Sequence, residues 1–206
     1  LWLGESSGAS LTVDLSRRIQ DCFGVGLVEC YGATETSGTV THTRFGHMHP
    51  GSVGWPTPGW QIKVCDSTGK EVPIGEIGVL CCKGPGVVGQ YWKNEELTAA
   101  RLGGGWWWSG DLAYVGADGY LYIVDREDDM IVCGGYNIYP AEVESCLAQH
   151  PKVLQAFLVG IPDAVKGQIP KAFVVLERGE TCSPQELIAF TKDLIAAYKA
   201  PRQVEF

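Results

Sequence analysis

Gly119-Tyr120-Leu121-Tyr122-Ile123-Val124-Asp125-Arg126-Glu127-Asp128-Asp129-Met130-Ile131, continued by Val132-Cys133-Gly134-Gly135-Tyr136-Asn137-Ile138-Tyr139-Pro140-Ala141-Glu142-Val143-Glu144, is the stretch on which the organisation of this chain turns. An apolar strand runs into a charged cluster, then a second apolar strand, a glycine pair and a helix start. The cluster around Arg126–Asp129 suits a solvated hinge. The glycine pair lets another group approach the backbone closely. Pro140 is favoured at the first helical position, and Glu142 in the first turn complements the helix dipole. A boundary is therefore expected at residues 125–129.

Downstream, residues 153–160 and 171–176 read as strands. Ser183-Pro184-Gln185-Glu186 reads as a capping box opening a helix with Leu187, Phe190, Leu194 and Ile195 on its apolar face. Residues 125–206 thus form an α+β unit. Upstream, residues 51–124 are dense in Gly and Pro. Short β-prone runs at 61–65, 78–82 and 121–124 are separated by turn signals such as Ala117-Asp118-Gly119, which predicts a small distorted β-barrel or meander. Residues 1–50 read as α/β. Leu11, Leu15, Ile19 and Phe23 recur every four residues on one helix face, and a β-prone run from Val25 enters Tyr31-Gly32. The fold class expected is an α/β fragment plus a small β-barrel, followed by an α+β domain. Leu1 and Phe206 each fall in a β-prone run, so excision from a longer protein is expected.

The 206 residues are 45% hydrophobic and 19% charged, enough for a sizeable core without a block of like charge. A net charge of -8 makes nucleic acid a poor partner, so a phosphate ligand would have to be held by local N–H groups, a metal or a few placed cations. Eight cysteines include no C-x-x-C pair. Reduced, mostly buried thiols in a cytoplasmic protein are expected. No signal peptide or membrane-spanning apolar run is present.

Two further segments bear on chemistry. In Tyr31-Gly32-Ala33-Thr34-Glu35 the ring can stack on a base, the hydroxyl can bond a phosphate oxygen and the carboxylate can hold a hard cation such as Mg²⁺. In Trp108-Ser109-Gly110-Asp111 the glycine permits a tight turn, leaving Asp111 able to accept from both ribose hydroxyls. Each alone is equally compatible with an ordinary turn. Trp106-Trp107-Trp108 reads as packing or as an aromatic platform. His47-Met48-His49 reads as surface loop or as a partial metal clip.

Taken in order, the three motifs resemble the adenylate-forming (AMP-forming) acyl-CoA synthetase superfamily, with fatty-acyl and aryl-CoA ligases as its nearest members, and the resemblance spans essentially the whole chain. Ser7-Gly8-Ala9-Ser10-Leu11 resembles the family's adenine loop, and Gly51-Ser52-Val53-Gly54-Trp55-Pro56-Thr57-Pro58-Gly59 its Gly/Pro turn. Gly75-Glu76-Ile77-Gly78, Tyr91-Trp92 and Tyr198-Lys199-Ala200-Pro201 also match. The resemblance implies that residues 1–50 end the large N-terminal adenylation domain, 51–124 form the β-barrel subdomain, and 125–206 form the C-terminal lid, cut short. It implies ATP/AMP, Mg²⁺ and coenzyme A as ligands, a small carboxylic acid as substrate, and no nucleic acid. Gly8 and Ala9 would contact adenine, with Tyr31 and Gly32 beside it. Thr34 would touch the α-phosphate and Glu35 would bind Mg²⁺. Asp111 would hold the ribose, assisted by Arg126, with Thr34, Glu35 and Arg126 catalytic. Asp128 would be the hinge, and Gly134, Gly135 and Tyr136 would line the coenzyme A path.

Departures are Ser109 for the usual Thr, Gln90 for the Gly before Tyr-Trp, and Asn137 where some members carry Arg. The family's Gly/Ser/Thr-rich phosphate loop and its late Gly-Lys pair have no counterpart here, and neither Lys199 nor Lys192 matches that lysine. The chain alone is therefore expected to be inactive. The alternatives are a non-catalytic binding module, or an adenylating domain that transfers to a carrier protein.

Overall fold

The computed structural model describes residues 3–8, 11, 13–46, 49 and 51–206. The chain divides into two compact units, the first ending at Ile123 and the second spanning Val124–Phe206.

The first unit opens with a βαβ element: β1 (Leu3–Ser6), α1 (Val13–Phe23) and β2 (Gly26–Ala33). β1 and β2 are parallel, with Leu3 opposite Gly26 and Ser6 opposite Glu29, so their carboxyl ends lie side by side. A 3₁₀ turn, Thr34–Thr36, leads to β3 (Gly38–His42), and β4 (Trp55–Pro56) completes a sheet in the order β1-β2-β3-β4. α1 forms where the four-residue spacing predicts a helix, but Leu15 and Phe23 are exposed while Ser16 is buried. The apolar stripe is therefore not the face turned to this sheet.

The second sheet is built from β5 (Gln61–Cys65), β6 (Gly78–Lys83), β7 (Leu102–Gly103), β8 (Trp106–Val115) and β9 (Leu121–Arg126), with α2 (Glu95–Arg101) before β7. Its order is β5-β6-β8-β7, with β9 also on β8. Among the described residues the sheet does not close into a barrel, so the meander reading holds and the closed one does not. The core joins the sheets through Val40, Val64, Leu80, Cys82, Trp107, Ala113 and Leu121. The tryptophan triplet alternates as a strand must. Trp107 enters this core, while Trp106 and Trp108 lie 4.6 and 5.9 Å from the Lys63 ammonium.

The second unit contains β10 (Ile131–Cys133), β11 (Tyr136–Ile138), α3 (Pro140–Leu147), β12 (Val153–Asp163), β13 (Gly167–Leu176), α4 (Pro184–Leu194) and β14 (Gln203–Glu205). β12 and β13 form a long antiparallel ladder, and β14 adds parallel to β13. Helices α3 and α4 begin where Pro140 and the capping box place them. Ser183 Oγ accepts from the Glu186 N–H at 3.1 Å. The core takes Ile138, Val143, Leu147, Leu158 and Leu187. On α4 the buried partner of Leu187 is Thr191, whose hydroxyl donates back to the Leu187 carbonyl at 2.8 Å, while Leu194 is exposed. That local bond removes the cost of burying a hydroxyl.

All eight cysteines are free, and six are buried. Burial pushes the Cys82 thiol up to about 12, so it remains protonated at neutral pH. Among the described residues no helix is long and apolar enough to cross a membrane.

Candidate functional site

The carboxyl ends of parallel strands are where α/β sheets receive ligands. Here that edge carries Gly8, just past β1, and the Tyr31–Glu35 segment at the end of β2. Gly8 has φ +81° with open space where a Cβ would stand. Ala9 lies outside the described residues. Gly32 is needed for a different reason. β2 and β3 shift register between Tyr31 and Gly32, and a Cβ on Gly32 would lie 2.2 Å from the Gly38 carbonyl oxygen. The buried Thr36 hydroxyl closes the turn, accepting from the Ala33 N–H at 2.9 Å and donating to the Gly38 carbonyl at 2.7 Å. Thr34 is thereby left exposed and Glu35 half-buried.

Asp111 reaches the same place from 80 residues away. The Tyr31 hydroxyl donates to Asp111 Oδ2 at 2.5 Å. Burial, then the neighbouring Asp111 charge, raises the Tyr31 pKa, so the phenol keeps the proton it donates. Asp111 does not stand on a turn as the sequence suggests. β8 continues straight through it, and Gly110, at φ +77°, sits in a bulge. Between the pairs Val79–Leu112 and Cys81–Trp108, one residue of β6, Leu80, faces three of β8, Ser109, Gly110 and Asp111. The extra residues re-aim the strand, a common role of bulges beside sites. The Ser109 hydroxyl spans the gap, donating to the Leu80 carbonyl at 2.9 Å and accepting from the Asp111 N–H at 2.9 Å. Serine supplies that hydroxyl as well as threonine would.

Glu35 is held by a residue not given a role from sequence. Tyr91 donates its hydroxyl proton to Glu35 Oε1 at 3.1 Å and accepts from the Trp107 indole at 3.0 Å. The signal in the sequence was Tyr91-Trp92, but nothing local ties position 91 to position 35. A partly exposed carboxylate with one oxygen so fixed is the hard-oxygen donor that suits Mg²⁺ beside phosphates.

The remaining candidates belong to the second unit. Arg126 ends β9, and its N–H bonds the Asp125 carboxylate at 2.8 Å. Asp128 lies in the exposed turn that follows. Gly134 and Gly135, at φ +59° and +87°, are the two central residues of the β10–β11 hairpin, where Cys133 faces Tyr136. Two successive positive φ values are what a tight hairpin of right-handed twist requires, so the turn accounts for the pair by itself. Tyr136 is 60% exposed, its ring 4.9 Å from that of Tyr198. Lys199 is paired with Glu142 at 2.6 Å.

Two histidine clusters fall outside this site. His49 Nδ1 lies 2.7 Å from the Tyr122 hydroxyl, and His47 and Met48 lie outside the described residues. His150, Cys182 and Glu186 gather within 4.8 Å, but Lys152 already pairs with Glu186 at 2.8 Å and its N–H is given to His150 Nδ1. This is an ion-paired seam.

Beneath the site, Glu29 on β2 is 8% exposed and lines a small cavity with Ser6, Cys30 and Val53. Burial raises its pKa from 4.5 to about 7, opposed by a hydrogen bond from the Gly51 backbone. The folded state thus holds the Glu29 proton more tightly than the unfolded chain. The stability this confers is complete below pH 4.5 and is lost as pH rises to about 7. Glu29→Gln should flatten that loss, which amounts to at most about 3 kcal/mol. Urea titrations of both proteins between pH 4 and 8 check it; parallel curves would rule it out.

A family model described as AMP-binding enzyme matches residues 2–92, and one for the AMP-binding enzyme C-terminal domain matches residues 142–206. The chain belongs to the adenylate-forming superfamily of acyl-CoA ligases. It is 41% identical to a long-chain-fatty-acid–CoA ligase of Bacillus subtilis, over 98% of this chain and 36% of that protein. It is 40% identical to a feruloyl-CoA synthase of Amycolatopsis sp, over 97% and 41%. The crystal structure of an ATP-bound RpMatB-BxBclM chimera superposes with a TM-score of 0.93 at 38% identity, covering 99% of this chain and 41% of that one. The chain therefore spans about two-fifths of the length of these relatives.

Proposed function

We propose that this chain is the carboxyl-terminal part of an AMP-forming acyl-CoA synthetase, which converts a carboxylic acid, ATP and coenzyme A into acyl-CoA, AMP and pyrophosphate. The observation that carries the reading is the direct bond between Tyr31 and Asp111, which brings the Tyr31–Glu35 turn and the bulged strand to one place. Support also comes from relatives that are CoA ligases and from a structural neighbour that binds ATP.

A carboxylate is a poor acyl donor because its oxygen is a bad leaving group. In the proposed first step the substrate carboxylate oxygen attacks the α-phosphorus, the bond to the β-phosphate breaks, and pyrophosphate departs with the electron pair. The coenzyme A thiol, losing its proton, then attacks the acyl carbon and AMP departs. Gly8 and Tyr31 border the adenine, with Gly32 letting the strand turn beside it. Asp111 accepts from the ribose hydroxyls, assisted by Arg126, and Thr34 bonds the α-phosphate. Glu35 would hold Mg²⁺, which when bound neutralises charge on the phosphate oxygens.

Residues 1–50 and 51–124 supply this cradle, and residues 125–206 act as the lid. Asp128 is the pivot on which the lid turns between the two steps, and Gly134, Gly135 and Tyr136 border the pantetheine path. A cytoplasmic enzyme of fatty or aromatic acid metabolism fits the free thiols. The isolated chain does not adenylate, since the family's phosphate loop and late Gly-Lys pair have no counterpart among its 206 residues.

The full-length enzyme, given ATP and a panel of acids, should exchange pyrophosphate and load free coenzyme A. The isolated chain should do neither. Exchange by the chain would refute its inactivity, loading of a carrier protein alone would change the acceptor, and absence of any adenylate from the full-length protein would refute the reading.

A further inference from the structure

The Trp107 indole, the Tyr91 hydroxyl and the Glu35 carboxylate form a chain of hydrogen bonds whose direction is set at both ends. An indole N–H can only donate, and a carboxylate oxygen accepts. The phenol between them takes one bond at 3.0 Å and gives one at 3.1 Å.

The start of the chain is rigid, since Trp107 is 3% exposed in the core between the two sheets. Its end is clamped by the same loop that carries Tyr91. The Val88 N–H donates to the Glu35 carbonyl at 2.9 Å, and the Ser37 hydroxyl to the Gly86 carbonyl at 2.9 Å. A Cβ on Gly86 would lie 2.2 Å from the Thr36 carbonyl oxygen, so loop and turn are packed backbone to backbone.

We propose that Tyr91 is a positioning residue for Glu35: its hydroxyl, seated by Trp107, pins one carboxylate oxygen so that the other is presented to the divalent cation that arrives with the nucleotide phosphates. This deepens the nucleotide-activating reading above and rests on it. Partners one shell out from a metal ligand commonly change metal affinity 10- to 100-fold.

The test is calorimetric, on the full-length enzyme. ATP affinity is measured with and without Mg²⁺, and the ratio is the metal-linked gain. Tyr91→Phe should cut that gain about tenfold while leaving metal-free ATP affinity unchanged. Trp107→Phe keeps the Tyr91 hydroxyl but removes its seat and opens the core, so it should lower the melting temperature further than Tyr91→Phe and yet lose less of the gain. A full gain in Tyr91→Phe overturns the proposal. So does a gain that falls in step with melting temperature across both variants, because that marks a merely structural role. A wild-type enzyme with no metal-linked gain overturns the nucleotide reading itself, and the proposal with it; that failure is told apart by appearing before any substitution.

Discussion

Asp111→Ala in the full-length enzyme should raise the KM for ATP in pyrophosphate exchange by about 10²–10³-fold, a loss of roughly 3–4 kcal/mol. The argument begins with how firmly the carboxylate is held. Tyr31 donates to Oδ2 at 2.5 Å, and the Ser109 hydroxyl accepts the Asp111 N–H at 2.9 Å. A carboxylate so fixed loses little freedom when it takes two ribose hydroxyls, and each hydrogen bond to a charged acceptor is worth about 1.5–3 kcal/mol. The alanine variant also leaves the Tyr31 hydroxyl buried without its acceptor, which costs about 1–3 kcal/mol of stability. Asp111→Asn keeps an acceptor oxygen and should lose less on both measures. Unchanged KM in Asp111→Ala would remove Asp111 from the ribose.

Gly32→Ala is the second large effect, and it acts on folding first. The added Cβ would lie 2.2 Å from the Gly38 carbonyl oxygen and 3.0 Å from the Thr39 Cα. Both are backbone atoms of the paired strand, so no rotamer change relieves the overlap, and the β2–β3 ladder must open at its bulge. A cost of about 4 kcal/mol or more is expected, at the top of the range for single substitutions. Gly8→Ala is the control. Gly8 has a positive φ but open space, so only backbone strain of about 1 kcal/mol applies. Denaturant unfolding of the chain compares them, and a Gly32→Ala variant as stable as Gly8→Ala would show that the turn yields more easily than its contacts imply.

Local chemistry explains which elements could be read in advance. Pro140 and the Ser183 capping box start α3 and α4 because a helix's first turn has orphan N–H groups whose needs are met within four residues. β12 and β13 announced themselves through β-prone runs separated by turn residues. β8 did not. Ser109-Gly110 looks like a turn because a bulge and a turn use the same residue types, and only the register against β6 tells them apart. α2 also went unread, although Asn94 caps it by accepting the Leu97 N–H at 3.0 Å. The α1 stripe misled about orientation, since periodicity gives a helix an apolar face without saying which neighbour covers it.

The candidate residues divide along the same line. Tyr31, Gly32, Thr34 and Glu35 could be picked out together because they are adjacent in the chain, and Asp111 through its own motif. What the chain order alone determined was therefore most of the elements, the starts of α3 and α4, a boundary expected at residues 125–129, and the family resemblance. Only the tertiary structure decided that Tyr31 meets Asp111 across 80 positions and that Tyr91 meets Glu35 across 56. The physical reason is that a hydrogen bond is satisfied within about 3 Å of space whatever the distance along the chain. Which distant groups share that space is set by sheet register, by the bulge at Gly110 and by the packing of Trp107, and none of these is a property of a short stretch of sequence.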